Sequence, residues 1–172
     1  MHCVESELWP FCQSLYRQAG VEPLLLSLQD AADMHIPLAL VLIWFDITGR
    51  ELEADALTRL YKTSEQWQRH VVEPLRQARR WMKANTALTE PEHALREQIK
   101  GAELEAERQW LLRQSQAAPS PLLPPNPALT YFNRYLERLS VAAAEQKRIA
   151  HQLRQAIEVM NKSEGRQGEE LV

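Results

Sequence analysis

Residues 34–49, MHIPLALVLIWFDITG, contain a run of ten residues, Ile36 to Phe45, without a charged, hydroxyl or amide side chain. How that run is read decides the fold. A membrane span needs roughly 20 apolar residues, about twice what is present. A secretory signal needs basic residues ahead of its apolar stretch and a place near the N-terminus, whereas Asp30 and Asp33 precede this one. The run is long for a buried strand. Pro37 at its start and Gly49 after its end suit a helix with proline in the first turn and glycine at the C-cap. A helix that is apolar on every side has to be enclosed by protein. The expectation is a central helix over 37–47 inside a soluble, all-α bundle, with no membrane segment.

The flanking sequence fills in that bundle. Leu8, Phe11, Cys12, Leu15 and Ala19 recur at helical spacing, with Ser6 as a cap and Gly20 as a stop. Pro23 opens a short second helix, and a further helix is expected over 51–62. Ser64 is placed to cap a helix running to Ala84, which Pro74 should kink. Thr89 and Glu92 form a capping-box pattern that opens a helix to residue 118, with Leu95, Ile99, Ala102 and Ala106 inward. The stretch PSPLLPPNP, 119–127, has five prolines in nine residues and reads as a semi-rigid connector. From Leu129 to Met160 apolar residues recur every three or four positions, which predicts one long coiled-coil-like helix over 128–162. Such a rod needs a partner, and the helix of 86–118 is the nearest. The predicted organisation is a compact N-terminal bundle (1–85), a long helix (86–118), the connector (119–127), a second long helix (128–162) completing a C-terminal hairpin, and a flexible tail (163–172). Self-association through the 129–160 seam is an additional expectation.

Composition excludes more functions than it suggests. A net charge of -3 works against a phosphate backbone or an anionic membrane, which makes nucleic acid the weakest class of partner. Cys3 and Cys12 form neither a disulfide framework nor a metal site, and reduced thiols point to the cytoplasm. Cys12 falls on an apolar stripe and reads as core filler. No glycine-rich phosphate loop, G-x-S-x-G or H-E-x-x-H is present, and the five histidines are scattered. No cofactor and no metal are expected.

Two places could carry function. Residues 64–85 hold five bases against two acids, and at 100° per residue Arg76, Arg79, Arg80 and Lys83 share one side, opposite Trp67, Val71, Leu75, Ala78, Trp81 and Met82. Such a stripe could grip a phosphate, a carboxylate-rich ligand or an acidic partner helix; it could equally be a solvated or internally paired face. Asp30, Asp33 and His35 could form an acid–base or hard-metal corner. The plainer reading has Asp33 capping the apolar helix and Asp30 paired with an arginine of helix five, the helix over 64–84. Trp110, and the trio Tyr131, Phe132 and Tyr135, are either contact surfaces or packing.

The segments FCQSLYRQAGV, LSLQD, LVLIWFDITGR, Trp67 and VVEPLRQARRWMK together resemble a family of uncharacterised proteobacterial helical proteins of about this length, a domain of unknown function. The resemblance runs best from Leu8 to Lys83. Its pattern has an Asp and an Asn ahead of the apolar helix, where this chain has His35 and Pro37, and it includes the arginines at 76, 79 and 80. It implies a cytoplasmic bacterial helical protein and no activity. From the residues, the preferred function is a non-catalytic interaction or regulatory protein that docks a protein partner through Arg76, Arg79, Arg80 and Lys83 and the hairpin. The competing function is a small anionic-ligand binder or enzyme where Asp30 and Asp33 meet helix five.

Overall fold

The computed structural model describes residues 7–85 and 87–169, with side chains through 163; Cys3 and the expected cap Ser6 lie outside the described residues. The described chain is all-α: α1 Leu8–Tyr16, α2 Val21–Ala32, α3 Ile36–Thr48, α4 Ala54–Trp67, a π-helical turn Gln68–Val72, α5 Glu73–Ala84, α6 Glu90–Gln116, α7 Thr130–Arg138 and α8 Ala143–Glu169. No helix among them is long and apolar enough to cross a membrane. The chain divides into two compact units. One takes the described residues of 1–51 and of 118–172; the other takes 52–117. The second is thus inserted into the sequence of the first, and the bundle boundary falls at 51 and 118 rather than at 85.

In the first unit α3 is the centre. Every residue from Ile36 to Asp46 is buried, as a helix without a polar side demands. Helices α1 and α2 cannot surround it alone, so α7 packs on it as well, and α8 packs on α1, α2 and α7. The expected continuous helix over 128–162 is two helices. Ser140 takes a left-handed conformation (φ 58), its N–H donates to the Glu137 carbonyl at 2.9 Å, and the Val141 N–H donates to that of Leu136 at 3.1 Å. This pair of bonds is a standard helix stop, with serine in the place usually held by glycine. The break lets Phe132 and Leu136 face α3 while Ile149, Leu153 and Met160 are buried along a second axis. The apolar seam offered for self-association is consumed inside the unit; its buried members include Leu129, Phe132, Leu136, Ala150, Leu153, Ile157 and Met160. Helix α8 also continues to Glu169, beyond the expected end at 162. Phe132 and Tyr135 are buried, as packing rather than an exposed aromatic patch.

In the second unit the helix is continuous from Ala54 to Ala84, and Ser64 is a buried residue inside it, not a cap. Neighbouring Thr63 shows why a hydroxyl misleads here: its Oγ1 donates back to the Arg59 carbonyl at 3.0 Å instead of closing a helix start. Pro74 does not end the helix. Proline lacks the N–H that would bond back one turn, and the chain widens ahead of it into the π turn, where the Glu73 N–H donates five residues back to Gln68. Thr89 and Glu92 form the expected capping box, with the Thr89 N–H on Glu92 Oε2 at 2.7 Å, and α6 packs along α5. Trp110 is buried and offers no contact surface.

Candidate functional site

The basic stripe is only in part an outward face. Arg76 is buried and donates from Nε to Glu103 at 3.0 Å and from Nη2 to Glu107 at 2.9 Å. Arg79 donates through Nε to the other Glu103 oxygen at 2.5 Å. Burial alone would raise the Glu103 carboxyl, but the bonds from Arg79 and Arg76 overcome this and hold it below the usual range. Burial raises Glu107, and Arg76 opposes that only in part. The inward stripe is therefore Val72 at the end of the π turn and Arg76, Arg79 and Met82 of α5, met on α6 by Glu103 and Ala106. Ala102, expected inside, is exposed. Trp81, also expected inside, is 68% exposed. Of the four cations singled out, Arg80 and Lys83 are exposed and Arg76 and Arg79 are internally paired.

At the Asp30/Asp33 corner the expected capping does not form. Asp33 is itself left-handed (φ 53) at the C-cap of α2 and does not cap α3; the N-cap position of α3 is His35, which makes no side-chain capping bond. The His35 N–H donates instead to the Tyr135 hydroxyl at 2.9 Å. Among the described residues no cluster of His, Cys, Asp and Glu could hold a metal ion.

The structured site lies at the other end of α3, in the motif WFDITGR. Asp46 is a buried carboxylate that accepts the N–H groups of Tyr131, at 3.0 and 3.1 Å to its two oxygens, and of Phe132 at 3.2 Å. These are first-turn donors of α7, which lack partners within their own helix. The α7 N-cap, Leu129, contributes no side-chain bond, so Asp46 caps α7 from 85 residues away in sequence. Burial pushes its carboxyl up to about 6, against the lowering effect of the N–H donors and the Arg134 charge. With Tyr135 on His35 at the opposite end, α7 is pinned antiparallel along α3.

The same motif holds the proline connector. Gly49 is left-handed (φ 65), and its carbonyl accepts the Leu122 and Leu123 N–H groups, both at 3.0 Å, while the Asp46 carbonyl accepts that of Asn126 at 2.8 Å. A Cβ on Gly49 would lie 1.8 Å from the Leu123 oxygen, so only glycine allows the approach. The Arg50 guanidinium stacks on Trp44 at 4.2 Å and donates to the Pro119 carbonyl at 2.5 Å and to Glu7 at 3.2 Å.

Above this anchored corner, within the first unit, the start of α1, the end of α3, the connector and α8 enclose an open-sided groove of about 690 Å³. Phe11, Trp44, Ile47, Ile157 and Met160 with three prolines make its lining mostly apolar; Glu7, Arg154 and Glu158 supply the charge. None of these three had been singled out in the sequence. They come from α8 and from the residue before α1, and only the break at Ser140 and the strap at Gly49 bring them together.

The model of a family described as "Protein of unknown function (DUF2390)" matches residues 7–113. That span contains the motif WFDITGR and the α1 and α3 walls of the groove, while the connector and α8 lie beyond it. No curated protein and no solved structure matches the chain.

Proposed function

We propose, for a chain that belongs to the DUF2390 family of unknown function, a non-catalytic role as a small-molecule-binding protein whose ligand occupies the groove of the first unit. The observation that carries this is the groove itself. Its volume of about 690 Å³ falls in the range of roughly 300–1,000 Å³ typical of small-ligand sites, and it combines an apolar lining with a few convergent polar groups. Its walls are held by a buried cap, a left-handed glycine and a stacked arginine, so the site is formed before a ligand arrives and little ordering has to accompany binding. A cytoplasmic setting is part of the reading: Cys12 is a buried free thiol, and burial raises it to about 12, where it is inert.

A test uses N-phenyl-1-naphthylamine, a neutral dye that brightens in apolar sites. The wild-type protein is expected to bind it saturably. Thr48→Phe, which fills the groove from the exposed end of α3, is expected to weaken binding at least about tenfold with thermal stability retained. Absence of saturable binding, or binding indifferent to the filling substitution, overturns the proposal.

A second reading keeps the protein-docking role on what remains of the basic stripe. Trp81 is exposed on the second unit with Arg80 and Lys83 near it in sequence, and an exposed tryptophan flanked by cations is an anchor type found at protein interfaces. Trp81→Ala abolishes partner capture on that reading and has no effect on dye binding.

A further inference from the structure

Six arginines among the described residues are buried or partly buried, on helices or at helix ends: Arg50, Arg76, Arg79, Arg96, Arg108 and Arg154. Five have a carboxylate partner within 4 Å. Arg154, half-buried on α8 and lining the groove, is the one with no ion-pair or hydrogen-bond partner among the described residues. A guanidinium at an apolar wall with no internal partner keeps its donors open to an anion. The two carboxylates near it do not serve. Glu7 is already bonded to Arg50 at 3.2 Å, and Glu158, one turn further along α8, is exposed and stands beyond ion-pair distance.

We propose that the groove takes an amphipathic monocarboxylate, its head on Arg154 and its apolar body along Phe11, Trp44, Ile157 and Met160; this rests on the groove being the ligand site. Charge selects the head. The planar guanidinium matches a carboxylate through two parallel bonds, whereas Glu158 at the rim repels the second charge of a dianion. The lining selects the body: aromatic, branched and proline side chains predominate and offer dispersion and area, with Thr48 and Asn161 as the neutral polar groups. Arg154 lies outside the family-matched residues 7–113.

The experiment displaces bound N-phenyl-1-naphthylamine with dodecanoate, 1-dodecanol or dodecyl phosphate, below the concentrations at which they aggregate, from the wild type, Arg154→Gln and Arg154→Lys. Dodecanoate is expected to bind the wild type at least about tenfold more tightly than the alcohol, and the phosphate more weakly than the carboxylate. Arg154→Gln removes the preference, read within that variant as the ratio of acid to alcohol affinity, and Arg154→Lys restores part of it. Equal binding of acid and alcohol, a preference that survives Arg154→Gln, or a phosphate that outcompetes the carboxylate overturns the monocarboxylate assignment and leaves the groove standing. Failure of the dye itself to bind removes the groove reading instead.

Discussion

Replacing Asp46 by asparagine removes one negative charge from the interior while leaving an oxygen that can still accept from the start of α7. Asparagine and aspartate are comparable helix caps, so the geometry predicts a small change at neutral pH, within about 1 kcal/mol. Alanine, by contrast, strands two buried N–H groups and leaves a void, a loss of about 2–4 kcal/mol. The pH dependence separates the causes. Burial raises the folded-state carboxyl from 3.8 to about 6, so the fold binds this proton more tightly than the unfolded chain does. Stability from this group is fully present below the unfolded value and is lost as pH rises through about 6. Between about pH 5 and pH 7.5 the wild type therefore loses about 1.4 kcal/mol that Asp46→Asn does not. Urea denaturation of both proteins across that range, followed by circular dichroism, measures the difference. A gap that stays flat, or a wild type that gains on the variant as pH rises, refutes burial as the dominant influence and shows the helix donors in control.

Further substitutions probe the other joints. Gly49→Ala places a methyl group against the Leu123 carbonyl at a left-handed position and is expected to cost at least about 2 kcal/mol, with early proteolytic cleavage within 119–127. Glu103→Gln leaves Arg76 and Arg79 without their shared carboxylate and is expected to lower thermal stability by about 3–5 kcal/mol; Arg80→Gln and Lys83→Gln each stay within about 0.5 kcal/mol. Ser140→Gly is expected to raise stability by up to about 1 kcal/mol, because glycine holds the left-handed conformation without strain. A continuous helix through residue 140 would make the same change destabilising by a similar amount.

What could be read from the sequence follows from which interactions leave a pattern. The ten-residue run reads as an enclosed helix, and Ile36 to Asp46 are all buried; the proline segment and the capping box at Thr89 were equally legible because each depends on residues a few positions apart. The faces of α5 and α6 were misread. A pattern of polarity assigns charges to the outside, whereas Arg76, Arg79 and Glu103 satisfy one another inside, which is visible only when two helices are placed side by side. The break in the C-terminal rod was hidden because serine, not glycine, adopts the left-handed turn at 140. The groove was hidden for the same reason that Asp46 was: its residues come together across more than 80 positions, through a cap and a strap that no local spacing encodes. The motif WFDITGR did stand out in the resemblance, but as a string without a mechanism; the structure gives Trp44, Asp46, Gly49 and Arg50 one each.

The tryptophan side chains allow the most direct test, since Trp44 lines the groove while Trp67, Trp81 and Trp110 belong to the second unit. Indole N–H resonances of the ¹⁵N-labelled protein, assigned by single Trp→Phe substitutions, are followed during titration with dodecanoate. Ligand binding in the groove predicts a saturable shift at Trp44 with Trp67, Trp81 and Trp110 unmoved; a shift at Trp81 with Trp44 unmoved contradicts it and transfers the binding surface to the second unit.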